Sequence, residues 1–295
     1  MPIKNKIIIT GGAGFVGTNL IKLFLKKTKF KIISIDNYSS GKKSNHIKSS
    51  RIKYINGKTI NIFKIIKNPK EIKSVFHFGE FARIYQSFLK MNECLDSNTI
   101  GSNAVFNFCL KNKIKLIYSA TSASLGNNGN DKNLSPYAFS KSKNLELLEN
   151  LKKWFNFKYE VIYFYNVYGP HQICKGQMST VIGIFEDHYK RRKPLPVVKP
   201  GTQSRRFTHI DDTVNTCYLA WKKNLCRHYS IANKKSYSVL KVAKFFNTKI
   251  KFLPKRPGER YASALINKNL SNKIYKHFGK TSLKNYINNF VIKNN

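Results

Sequence analysis

The chain has 295 residues, 41% of them apolar and 13% aromatic, which is enough for a sizeable core and argues against intrinsic disorder. Fifty-four Lys and Arg face 14 Asp and Glu, giving a net charge of +40 that is spread along the chain, with no long basic tail. No run approaches the roughly 20 apolar residues of a membrane span, and five cysteines without a C-x-x-C pair exclude a disulfide scaffold or zinc ribbon and point to a reducing compartment, the cytoplasm.

The N-terminus enters an apolar run at once (Ile7, Ile8, Ile9), with the wrong length and flanks for a signal peptide. Lys, Asn and Ile are all abundant, as a coding bias toward A and T would produce. The positive charge therefore reads as solvated surface, and nucleic acid is not the expected partner. The shortage of Glu has no physical account. No His/Cys/Asp cluster has metal-ligand spacing, so no metal is expected.

In chain order, short β-branched or aromatic runs predict strands at 6–10, 31–36, 53–55, 74–78, 115–119 and 160–165. An amphipathic helix is predicted at 15–27, with Leu20, Leu23 and Phe24 on one face, and longer ones at 95–110 and 137–155. Strands alternating with helices imply an α/β fold with a parallel sheet covered on both faces. After Pro170 the pattern loosens, and Pro194, Pro196, Pro200, Pro254 and Pro257 interrupt it. This predicts a first domain over residues 1–170 and a smaller α/β substrate-binding domain over 171–295, with some segments after 205 returning to the first.

Between the first strand and first helix lies Thr10-Gly11-Gly12-Ala13-Gly14-Phe15-Val16-Gly17. Gly11, Gly14 and Gly17 permit a tight turn, close backbone approach to a pyrophosphate, and close packing of helix on strand, with the anion on the helix N-terminus. Asp36 ends the second strand, 19 residues after Gly17. A carboxylate there accepts from the adenine ribose hydroxyls and repels a 2′-phosphate, favouring NAD over NADP. The pattern is that of a Rossmann-type doubly wound sheet. Further on, Tyr137 and Lys141 are spaced i, i+4 on one helical face. An ammonium beside a phenol stabilises the phenolate, giving a general base for an alcohol or sugar hydroxyl.

The order of these motifs resembles the extended short-chain dehydrogenase/reductases, the NAD-dependent epimerase/dehydratase family, and within it the UDP-glucose 4-epimerases. The resemblance runs through Asp36-Asn37, Tyr137 with Lys141, Asn166-Val167-Tyr168-Gly169-Pro170, Arg205-Arg206-Phe207-Thr208-His209-Ile210-Asp211-Asp212 and Arg256-Pro257-Gly258-Glu259, nearly the whole chain. His77-Phe78-Gly79-Glu80 is similar to the H-x-G-E of a short-loop subgroup.

That resemblance implies NAD as cofactor, with Phe15, Val16 and Asn37 joining the glycines and Asp36 in its site. It implies Tyr137 as base for the sugar C4 hydroxyl, and Lys141 as holder of the nicotinamide ribose and tuner of Tyr137. Thr121, five residues before Gly126, would orient the reacting oxygen, with Ser122 or Ser124 as substitutes. Ser122, Asn166, Arg205, Arg256 and Ser263 would contact a nucleotide-sugar substrate; a small Ser263 would leave room for an N-acetyl group. Dehydratases of the family carry Asp-Glu after the Thr, and here those positions are Ser122 and Ala123, which favours epimerisation. The helices at 95–110 and 137–155 resemble those forming a dimer interface in the family.

Three departures touch substrate identity. Gly57 is followed by Lys58 in place of Asp, the 126–137 loop is short, and Arg206 replaces the Asp of the R-D-F motif. His77 reads as a packed or backbone-bonded histidine, and Glu80 is assigned no role. A related reductase or dehydrogenase, and a catalytically idle protein binding a polyanion, are the alternatives.

Overall fold

The computed structural model describes residues 4–258 and 274–294. Six strands lead the architecture: β1 (Lys6–Thr10), β2 (Lys31–Asp36), β3 (Ile52–Asn56), β4 (Ile72–His77), β5 (Lys115–Thr121) and β6 (Tyr159–Phe164). All six runs predicted from the sequence are strands. The His228–Ala232 and Ile274–Phe278 strands complete an eight-stranded sheet in the order β3-β2-β1-β4-β5-β6, then 228–232, then 274–278. Every neighbouring pair is parallel.

A parallel sheet needs cover on both faces, and the period-2 alternation supplies it. Ile8, Ile35, Val75, Leu116 and Val161 face one layer, where Phe106 and Leu148 from the Ser102–Lys111 and Pro136–Phe155 helices pack on them. Ile7, Ile9, Phe76, Ile117 and Ile162 face the other, against Leu20 and Phe24 of the Phe15–Lys27 helix and Val214 and Cys217 of the Ile210–Lys223 helix. A separate apolar cluster, around Tyr168, Phe185, Val197, Phe246 and Ile287, unites later segments of the chain.

Strand order reverses between β1 and β4, which opens a crevice beyond their carboxyl ends. The two chains leave that point almost in contact. Gly11 has φ +69°, and a Cβ there would meet the Gly79 nitrogen at 2.9 Å; a Cβ on Gly79 would meet the Gly11 nitrogen at 2.9 Å. Neither position tolerates a side chain.

The helix predicted over 95–110 is longer and irregular. Met91–Leu95 runs into a π-helical turn, Asp96–Gly101, before the Ser102–Lys111 helix. Such turns shift the face a helix presents. Here Asn98 is buried in it, accepting the Phe81 amide at 2.7 Å and donating to the Phe81 carbonyl at 3.0 Å. The Pro136–Phe155 helix starts with a Ser135 cap that accepts from the Ala138 amide, followed by Pro136 in the first turn, and it ends at Asn156 with φ 52°.

Candidate active site

A cleft of about 950 Å³ runs along the carboxyl ends of the strands. It is lined by the glycine turn, Asp36, Thr121, Ser122, Tyr137, Lys141, Asn166, Arg205 and Arg256, so nearly all the expected residues share one cavity. Ser263 lies outside the described residues.

At the cofactor end, a Cβ on Gly17 would lie 2.2 Å from the Gly11 carbonyl oxygen, so only glycine lets the helix start sit on the turn. No side chain caps the Phe15–Lys27 helix at Gly14, and its first turn carries no acid. Its positive end is left to an anion. Phe15 and Val16 open that helix and line the cleft. Asp36 accepts the Ala13 amide at 3.0 Å and the Tyr38 amide at 2.8 Å, which fixes its carboxylate between turn and crevice. Burial pushes the Asp36 carboxyl above its usual pKa, and those amides oppose the rise. Asn37 lines the cleft while its side chain accepts the Ser39 amide at 3.1 Å.

At the chemical end, Tyr137 and Lys141 lie in the first turns of the Pro136–Phe155 helix, both buried. Thr121 ends β5; its hydroxyl accepts the Ala123 amide at 3.2 Å, which leaves its proton available to donate. Ser122 lines the same wall, whereas Ser124 turns its hydroxyl back onto the Thr121 carbonyl at 2.7 Å.

Lys141 has a partner that the sequence reading did not assign. Its ammonium is ion-paired with Glu80 and also donates to the Ser119 carbonyl, over the Tyr118 ring at 4.6 Å. The other Glu80 oxygen accepts from Ser102 Oγ at 2.8 Å, Tyr118 OH at 3.0 Å and Asn144 Nδ2 at 3.3 Å. Burial lowers the pKa of Lys141, and the charge of Glu80 opposes this. Burial and the charge of Glu80 raise that of Tyr118.

His77 extends the network: it is fully buried and packed against Phe106 and Tyr118, one of the two expected settings, and its ring bonds run to side chains and not to the backbone. Ser102 spends its proton on Glu80, so its oxygen accepts from His77 Nε2 at 2.9 Å. His77 Nδ1 then accepts from Thr10 Oγ1 at 2.7 Å. Thr10 Oγ1 in turn accepts the Phe78 and Gly79 amides. Full burial pushes the His77 imidazole down to about 4, so it is neutral at pH 7. The available signal was polar spacing: Lys141 and Asn144 share a helical face, as do Asn98 and Ser102.

On the substrate side, Asn166 adopts φ 31° and donates to the Arg206 carbonyl at 3.0 Å. Arg205 faces the cleft, while Arg206 caps the Asn233 and Lys234 carbonyls at 2.7 and 2.6 Å. The cation that replaces the expected Asp is thus a structural cap. Arg256 lies over the Tyr85 ring at 5.2 Å. Among the described residues, no group of three or more His, Cys, Asp or Glu could hold a metal ion, and no helix is long and apolar enough to cross a membrane.

Comparison with known proteins agrees with this geometry. Residues 7–232 match the model of the NAD dependent epimerase/dehydratase family. The chain is 30% identical over 226 residues to the ADP-L-glycero-D-manno-heptose-6-epimerase of Brachyspira hyodysenteriae, covering 71% of this chain and 70% of that one. It is 25% identical over 233 residues to a putative UDP-glucose 4-epimerase of Methanocaldococcus jannaschii, covering 74% and 75%. The Thermus thermophilus UDP-glucose 4-epimerase, solved with NAD, shares the fold with a TM-score of 0.84 at 20% identity over 98% of both chains. The uncapped helix start, the Gly11–Gly17 packing and Asp36 fit the dinucleotide that the family uses, and NAD is the cofactor. Fold, turn and sequence together make the chain a member of the NAD dependent epimerase/dehydratase family.

Proposed function

We propose that the protein is a 4-epimerase of a nucleotide-linked sugar, UDP-linked, acting by oxidation at C4 and re-reduction on the opposite face. The observation that carries this is the state of the carboxylates around Tyr137. Thr121 is followed by Ser122 and Ala123, and Glu80 is committed to Lys141 and three neutral donors. Among the described residues, no acid beside Thr121 is free to drive elimination of water, which leaves redox at a carbinol carbon.

NAD, when bound, supplies a hydride acceptor and returns the hydride. The chain's own residues handle the proton. Tyr137 takes it from the C4 hydroxyl as that oxygen becomes a carbonyl, and gives it back when the carbonyl is reduced. Thr121 donates its free O–H to the same oxygen. Lys141 keeps a positive charge near the phenol and faces the ribose of the cofactor. Asn166, Arg205 and Arg256 hold the diphosphate; arginine forks suit its paired oxygens. Phe88, Met91, Leu95, Leu134 and Phe139 line an apolar groove, with Phe88 40% and Met91 50% exposed, which supports a homodimer through this face.

The test is proton NMR of the sugar nucleotides after incubation with UDP-glucose, UDP-N-acetylglucosamine and UDP-glucuronate. A C4 epimer at a fixed ratio, with no net NADH, bears the reading out. Net NADH formation or consumption points to a dehydrogenase or reductase. The 30% identity to a heptose 6-epimerase favours a second reading, the same redox exchange at C6 of an ADP-linked heptose, so that sugar forms a further arm.

A further inference from the structure

Three cations that line the cleft are not used by the reaction above: Lys58 is exposed, Lys90 pairs with Glu93, and Arg83 has no carboxylate partner among the described residues. Arg83 precedes the short Ile84–Leu89 helix and lines the same cleft as Tyr137 and Thr121. Its Nε and one Nη donate to the Met178 carbonyl at 3.0 and 2.5 Å, and its other Nη donates to the Ala82 carbonyl at 2.7 Å. A guanidinium has five N–H donors, so two remain. Glu80, three residues before, is taken by Lys141, and among the described residues no carboxylate pairs with Arg83. Its side chain is partly buried, and both Ile84 next to it and Met178, whose carbonyl it holds, pack on the cluster that contains Tyr137.

A cation held away from water without a counter-ion is unfavourable, more so in a chain with a net charge of +40. Two unspent N–H groups on different Nη atoms match the two oxygens of a carboxylate. The neighbour of Arg83 is Tyr137, the base proposed to act at C4, so the anion it awaits sits on the sugar ring. The diphosphate has Arg205 and Arg256. We propose that Arg83 reads a carboxylate on the sugar, so that the substrate is a nucleotide-linked sugar acid in preference to its neutral counterpart. This rests on the epimerase reading above.

The test compares UDP-glucuronate with UDP-glucose, on the NAD-loaded wild-type enzyme and on Arg83→Gln, by NMR of the C4 epimers. Binding of both sugars to Tyr137→Phe and to Tyr137→Phe/Arg83→Gln, by calorimetry, reads recognition without turnover. A charge-assisted fork corresponds to a preference of about 10- to 100-fold. The expected result is a glucuronate-to-glucose ratio of kcat/KM above about ten, falling at least tenfold in Arg83→Gln. A wild-type preference for glucose, or an equal loss on both sugars, overturns the proposal and assigns Arg83 to the phosphates or to packing. If neither sugar turns over but the calorimetric preference for glucuronate is present and lost with Arg83, the epimerase reading fails and the recognition stands. Absence of both removes the proposal.

Discussion

Glu80 and Lys141 form an ion pair whose side chains are only 2% and 4% exposed, so the lysine beside the candidate base is not a free cation. One carboxylate oxygen takes the ammonium; the other takes Ser102, Tyr118 and Asn144. The pair costs desolvation on both sides, and its hydrogen bonds offset that only while both partners are present.

Replacing Glu80 by Gln puts an amide NH₂ either against the ammonium or against three donors. The expected loss is about 3 kcal/mol of stability, read by urea denaturation. In the folded variant the charge of Lys141 is uncompensated and favours the Tyr137 phenolate. The acid limb of kcat/KM then moves to lower pH. Unchanged stability and an unchanged limb would remove the pair from the account.

His77 gives stability a pH dependence with a definite sign. Its folded pKa of about 4 lies below the reference value of 6.5, so the unfolded chain binds the extra proton first. The stabilisation is full above pH 6.5 and is lost as pH falls toward 4. It amounts to on the order of 3 kcal/mol. Urea midpoints between pH 7 and pH 4 should fall in the wild type more steeply than in His77→Asn. Parallel slopes would show that His77 protonates freely in the folded protein.

Asp36→Ala should weaken NAD binding by at least about tenfold, through loss of charge-assisted bonds to the ribose. It should also erase most of the preference over NADP, since the repelling charge is gone. Fluorescence titration with both dinucleotides measures the two constants. Unchanged discrimination would place the ribose elsewhere.

Tyr137→Phe removes the proton carrier and leaves the cavity's shape. Turnover should fall by about 10² to 10⁴, with NAD still bound. Residual activity within a few-fold of wild type would shift the base to another residue.

Much of this was readable beforehand because local patterns carry it. The β-branched runs and the glycine turn each specify a local geometry, and Tyr137 and Lys141 needed only a helix to share a face. The Glu80 network was not readable in the same way. Its members come from β1, β4 and the loop after it, β5 and two helices, with Lys141 61 residues from Glu80 and Thr10 67 from His77. Only the sheet order brings them together. The π-turn at Asp96–Gly101 was equally hidden, because its buried residues, Asn98 and Gly101, carry no apolar signal. Arg83 was lost among 54 basic residues, and only the structure shows its position in the cleft.

The most direct test of the central claim follows a label. A UDP-sugar carrying deuterium at C4, incubated with the NAD-loaded enzyme in ordinary water, should give the C4 epimer with its deuterium retained, because the hydride leaves and returns without meeting solvent. An epimer that has lost the deuterium to water would mean proton abstraction from carbon and would contradict the account.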